Sequence, residues 1–229
     1  MSRSLDSARV RAETRVQRFL DAALELMNEG DADKDFTVQE VVERSGQSLR
    51  SFYLYFGGKH ELLLALFEDS VRTTTEKLRQ SIDDEGDALA RLHRFVIEYY
   101  RVCRPPAKGK GPKKGPSPPV MVDFAQQLLT AHPTEAALAF APLVSLFGEL
   151  LDDAAAEGSI RSGLRSNLIA GIIVEAIMFN AFSATISGTS TKAGPFEPAE
   201  ELWDLIIHGI GAGSRPDEPA AGRAKRAKG

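Results

Sequence analysis

A single cysteine, Cys103, in 229 residues excludes an intrachain disulfide framework and any thiolate metal cluster within one chain. A reducing, cytoplasmic compartment fits that scarcity. The four histidines, His60, His93, His132 and His208, show no zinc-motif spacing and no adjacent nucleophile. Each therefore reads as structural or exposed, and no metal is expected. No Gly-rich phosphate loop or catalytic pair is present, so an enzyme has no constellation behind it and no cofactor is implied. The N-terminus, although Arg-rich, lacks the continuous apolar core of a secretory signal. The one long apolar run, residues 168–186, carries Glu175 and Asn180 in its middle. It reads as buried in protein rather than in lipid, and no membrane partner is expected.

What is present is an ordinary soluble composition, 43% hydrophobic and 26% charged, with a net charge of −4. That sum does not advertise a nucleic-acid binder, but phosphate contact needs only one basic face. Arg3, Arg9, Arg11, Arg15 and Arg18 precede residue 20, while Asp21, Glu25, Glu29, Asp31, Asp33 and Asp35 follow, so the first segment is polarised along its length.

Sustained period-two alternation is also missing, whereas apolar spacings of three and four recur throughout, which predicts an all-α chain. The spacing predicts helices over Ala8–Asn28, Thr37–Ser45, Leu49–Phe56, Lys59–Ile82, Asp87–Cys103, Val120–Ala131, Thr134–Glu157, Leu164–Ser187 and Pro198–Ala212. Thr37 with Glu40 forms a capping box, Gly46 can take the positive φ of a tight turn, and Ser48 is a good N-cap. Residues 104–119, "RPPAKGKGPKKGPSPP", read as a flexible solvated linker, and residues 213–229 as a disordered basic tail. The division expected is residues 1–66 and 67–212, with the linker inside the second part.

Within this pattern "SGQSLRSFYLYFGGKHEL" places four aromatics, Phe52, Tyr53, Tyr55 and Phe56, into five positions and follows them with Gly57 and Gly58. Two short helices joined by a glycine-containing turn make a helix-turn-helix, whose second helix enters the DNA major groove. At about 100° per residue, Leu49, Phe52, Tyr53 and Phe56 share an arc toward the bundle, and Arg50, Ser51, Leu54 and Tyr55 lie opposite. Arg50 can donate two hydrogen bonds to guanine, and Ser51 can meet several base edges. Tyr55 and Tyr53 can reach phosphate with their hydroxyls. Lys59 begins the next helix, where its charge adds to free backbone amides as a phosphate clamp, and Thr37 offers similar amide geometry on the other side.

The pattern from Thr37 to Leu63, and most specifically Tyr53, Tyr55, Phe56 and Lys59, resembles the N-terminal DNA-binding domain of the TetR family of bacterial transcriptional regulators. Carried over by position, the resemblance implies base contacts at Leu49, Arg50, Ser51 and Tyr55 and phosphate contacts at Thr37, Ser48, Tyr53 and Lys59. It implies a homodimeric repressor of a palindromic operator in double-stranded DNA, paired through its last two long helices and released by a small apolar or amphipathic effector. In the family the Arg-rich N-terminus is an arm near the DNA backbone; a solvated helix start is the other reading. Gln47 and the Gly57-Gly58 pair depart from the usual residues at their positions, which predicts a looser module.

Two readings of the larger part stand side by side. Met121, Phe124, Phe140, Phe147, Met178, Phe179, Phe182 and Trp203 are candidates for an effector pocket, because Met and Phe suit adaptable apolar ligands; the plainer reading is core. The small residues Ala176, Asn180, Ser183 and Ser187 form a stripe that permits close helix contact, so Glu175 and Asn180 fit either an interface or a ligand. The rival for the whole chain is a helical ligand-binding or protein-interaction module without sequence-specific DNA binding. Its support is the near-neutral first sixty residues, with nine Lys or Arg against ten Asp or Glu.

Overall fold

The computed structural model describes residues 2–29, 36–103, 119–186 and 198–210. Among these residues there are helices and no strands. Their order is α1 Ser2–Glu29, α2 Val38–Ser45, α3 Leu49–Tyr55, α4 Lys59–Ile82, α5 Ala88–Cys103, α6 Pro119–Ala131, α7 Pro133–Ala156, α8 Ser166–Ile186 and α9 Pro198–Ile210. The expected linker, apart from Pro119, and the expected tail lie outside the described residues, as does Ser187. The N-terminal segment is helical from Ser2, six residues before the start that the apolar spacing predicts.

Local chemistry explains most boundaries. The Thr37 hydroxyl accepts from the Glu40 amide at 3.2 Å, and the Glu40 carboxylate accepts from the Thr37 amide at 2.7 Å, closing the capping box that starts α2. Gly46 ends α2 in the left-handed region at φ 64°, and the amides of Gly46 and Gln47 return to the Glu43 and Val42 carbonyls. A side chain at that φ is strained, so glycine suits the turn. The Ser48 hydroxyl accepts from the Ser51 amide at 3.1 Å and starts α3. Asp87 performs the same role for α5 through the Ala90 amide, at 2.7 Å. Pro133 occupies the first turn of α7, where its missing N–H costs nothing.

Helices α1 to α4 close over an aromatic knot. Phe52 is fully buried and meets Phe19 edge-on at 5.4 Å between ring centroids, with Phe56 at 5.3 Å from Phe52. Edge-to-face contacts of this kind add to the area the rings bury. Helix α4 continues from the knot into the body, where it packs against α5, α6 and α7. There Phe95 stacks on Phe147 at 4.7 Å, and Phe67 meets Phe140 edge-on at 5.2 Å.

Among the described residues, α7 is long and apolar enough to cross a membrane by length and composition. Ten of its residues are buried, including Phe140, Leu143, Phe147 and Leu151, and it packs against α4, α5 and α8, the placement of a core helix. The run at residues 168–186 divides differently from the expectation of burial. Ala170, Val174, Ile177 and Met178 are buried, while Leu168, Ile172 and Phe179 face outward.

Candidate nucleic-acid interface

The turn between α2 and α3 is tied to α1. The Gln47 side-chain amide donates to the Arg15 carbonyl at 2.8 Å, and the Ser51 hydroxyl lies 3.5 Å from the Gln47 carbonyl oxygen. Gln47 therefore braces the module that its unusual identity predicted it would loosen. Arg11, Arg15 and Arg18 are exposed at helical spacing on α1, and the Arg15 backbone lies beside this turn. The acidic end of α1 turns elsewhere, with Glu29 accepting from Arg44 of α2 at 2.7 Å and Glu25 at 3.4 Å. The hydrogen bond from Arg44 holds the Glu29 carboxyl below its usual range.

The Gly57-Gly58 joint is also held. The Gly57 amide donates to the Glu61 carboxylate at 2.7 Å, and a Cβ at Gly57 would meet Glu61 Oε1 at 2.7 Å. Gly58 is extended and has open space around it. Lys59 departs from the free clamp expected of it. Its ammonium donates to the Phe36 carbonyl at 2.6 Å and lies 4.3 Å from the centre of the Phe36 ring. Thr37 follows Phe36, so this bond brings the starts of α2 and α4 to one place.

The helical-wheel division of α3 needs correction. Leu49, Arg50, Tyr53 and Leu54 form the exposed arc, with Tyr53 at 57% and Leu54 at 73% exposure. Phe52 and Phe56 are buried, and Ser51 and Tyr55 are half-buried, Tyr55 against the core. The buried arc is thus rotated by roughly 60° from the one drawn on hydrophobicity alone. The reason is the brace: Gln47 pulls the Ser51 side of α3 toward α1, and the Tyr53 ring lies edge-on to Phe52 at 5.4 Å with its outer face in water. Thr37 and Ser48 are exposed at the starts of α2 and α3. The partnerships of Glu61 with the Gly57 amide, of Gln47 with the Arg15 carbonyl and of Lys59 with the Phe36 carbonyl escape a reading of the sequence because each involves a backbone group, which residue type does not reveal.

The eight pocket candidates do not converge. Phe124 and Phe140 are buried on either side of Phe67, and Phe147 lies against Phe95. Met178 is buried, Phe179 is exposed, and Trp203 is half-buried with its ring 4.9 Å from that of His93. The side chains of Met121 and Phe182 lie outside the described ones. An open cleft of about 430 Å³ is lined by Leu129, Ile172, Glu175, Ala176 and Phe179, sharing only Phe179 with the candidates.

A short capped helix, braced from behind by aromatic rings and presenting Arg50 and Tyr53 to solvent beside a helical body, is a helix-turn-helix module of the kind whose second helix enters the DNA major groove. Residues 19–66 match the model described as bacterial regulatory proteins, tetR family, so this part of the chain is similar to the DNA-binding domain of those regulators. An uncharacterized HTH-type transcriptional regulator, YvdT of Bacillus subtilis (strain 168), is 26% identical over 86 residues, covering 38% of this chain and 44% of that protein. The match thus spans less than half the length of that relative. In fold the chain is similar to the transcriptional regulator FadR of Bacillus subtilis in complex with stearoyl-CoA, with a TM-score of 0.61 at 18% identity over 85% of this chain and 98% of that one. A TetR-family regulator from Pectobacterium atrosepticum gives a TM-score of 0.63 at 17% identity over 90% and 99%. Regulators of this family bind DNA and are not enzymes.

Proposed function

We propose that the protein is a cytoplasmic repressor that binds a palindromic operator as a homodimer and leaves it when a small apolar or amphipathic effector occupies the body. Residues 1–66 would read DNA and residues 67–212 would sense and dimerise. The observation that carries the DNA reading is the exposed arc of α3, with Arg50 and Tyr53 outward and the amide-bearing starts of α2 and α4 beside it. Arg50 serves as the base-reading group with Leu49 and Ser51 at its flanks. Tyr53, Lys59, Thr37 and Ser48 serve phosphates, and Tyr55 contributes its hydroxyl from a half-buried ring.

Dimerisation is supported by an apolar face on the last two helices. Leu168, Ile172 and Phe179 of α8 and Leu205 of α9 are exposed, with the small residues Ala176 and Ser183 on the same side of α8. Binding of a palindromic operator then requires the paired copies of α3 to stand at the separation of successive major grooves, about 34 to 36 Å. The effector class is supported by the apolar interior of α4 to α8 and by the acyl-CoA found in the FadR of the same fold. An effector shifts operator occupancy only as far as its affinities for the two dimer geometries differ.

A mobility-shift titration on the protein's own upstream region, repeated across salt concentrations, tests the reading. A discrete complex whose affinity exceeds that for random DNA and falls steeply with salt is expected. Equal, weak binding to both DNAs would favour the interaction-module rival. Light scattering should give the mass of two chains, and Ile172→Glu should halve it.

A further inference from the structure

The fold assembles what the sequence separates. His60, in the first turn of α4, reaches Glu135 of α7, with Nε2 2.9 Å from Oε2 across 75 positions of sequence. His132, at the α6–α7 corner, places Nδ1 3.6 Å from the other oxygen of the same carboxylate. The two imidazole rings lie 4.7 Å apart, and the three ligand atoms all fall within 4.8 Å of one another. The expectation that each histidine is merely structural or exposed does not describe this pair.

We propose that His60, His132 and Glu135 form a binding site for a zinc-class divalent cation. Zinc takes imidazole nitrogens and carboxylate oxygens at about 2.0 Å, so tetrahedral donors stand about 3.3 Å apart. The separations of 2.9 and 3.6 Å straddle that value, leaving a rotation of two half-exposed rings to close the third edge. The Phe124 ring, 5.5 Å from that of His60, forms an apolar wall on one side. The open side leaves the fourth position to water. A single dication can accept a lone pair from each neutral imidazole and from the carboxylate, so one ion would engage all three side chains at once. Borderline-soft nitrogen and oxygen donors favour zinc over magnesium or calcium, which take oxygen alone.

The site joins the start of α4, next to the Gly57-Gly58 joint and Lys59, to the corner from which α7 departs. A bound ion stabilises the arrangement in which these three side chains meet and so fixes α4 relative to the body. Any effect on operator affinity rests on the repressor reading above; the binding itself does not.

The test uses untagged full-length protein stripped with chelator. Calorimetric titration with Zn²⁺ should show one ion per chain, and Co²⁺ should give the visible bands of a four-coordinate centre. His60→Asn, His132→Asn and Glu135→Gln should each weaken Zn²⁺ binding at least about tenfold, with helical content unchanged by circular dichroism. His93→Asn, at the separate His93–Glu200 pair, should leave it unchanged. Absence of one-to-one binding, or binding that all three variants leave intact, overturns the proposal. Neither readout involves DNA, so failure here and failure to bind an operator are told apart.

Discussion

The Lys59 ammonium stands 2.6 Å from the Phe36 carbonyl and 4.3 Å from the centre of the same residue's ring, so one side chain joins the starts of two helices. Lys59→Ala then has two effects that a surface clamp would not combine. It should lower stability by about 1 to 2 kcal/mol, the range for a charge-assisted bond at a half-exposed site. It should also weaken binding to specific and random DNA alike, lowering the salt slope by about one unit per half-site. Denaturant titration and anisotropy binding, run on the same preparations, separate the two effects.

Arg50 and Tyr53 share the exposed arc of α3 but differ in what they can address. Arg50→Ala should cost about 1 to 3 kcal/mol on the operator and relax specificity at one base position. Tyr53→Phe keeps the ring against Phe52 and removes only the hydroxyl, so it should weaken all DNA roughly tenfold without changing the melting temperature. Tyr55→Ala removes a ring packed on the core and should lower the melting temperature as well. Competition against single-base operator variants, with a thermal melt of each protein, reads all three.

The two glycines before Lys59 are unequal. Gly57→Ala puts a methyl where the Glu61 carboxylate lies, displacing the acceptor of the Gly57 amide, and should cost about 1 kcal/mol. Gly58→Ala meets nothing within 4 Å at an extended φ, and should be neutral or stabilising by about 0.5 kcal/mol through the unfolded chain. Denaturation midpoints of the two variants should differ in that order; equal midpoints would remove Glu61 from the account of the joint.

Burial pushes the Cys103 thiol up to about 12, against an opposing hydrogen bond with Tyr99. Burial also raises the Tyr99 phenol well above its ordinary value. At pH 8 the native thiol should react with iodoacetamide at a rate about a thousandfold below that of an exposed cysteine. The unfolded chain ionises Cys103 near its ordinary value of about 8.5, while the folded chain keeps the proton. Unfolding therefore releases a proton between these values, and stability falls as pH rises from about 9 toward 12, with no contribution below about 8. Cys103→Ala should flatten that alkaline decline in urea titrations at stepped pH.

The helix-turn-helix was legible in the sequence because its signals are local. Thr37, Glu40, Gly46 and Ser48 act within three or four residues of themselves, and each cap lies where its chemistry predicts. The facing of α3 was not legible, because seven residues give a wheel little statistical weight and its rotation depends on Gln47 reaching Arg15 of another helix. The start of α1 was missed for a related reason: residues 2–7 have no apolar stripe to announce a helix. The proximity of His60 to His132 and Glu135 depends on α4 lying against α7, which no spacing rule encodes.

Trp203 is the only tryptophan in the chain, half-buried on α9 with its ring edge-on to His93. Excited beyond the tyrosine band, the protein therefore emits from a single known place. An indole leaving water shifts its emission to the blue, and a neighbouring imidazolium quenches it. The unlabelled molecule thus carries an optical gauge of the α5–α9 contact, readable during dilution, titration with acid, or addition of a candidate effector.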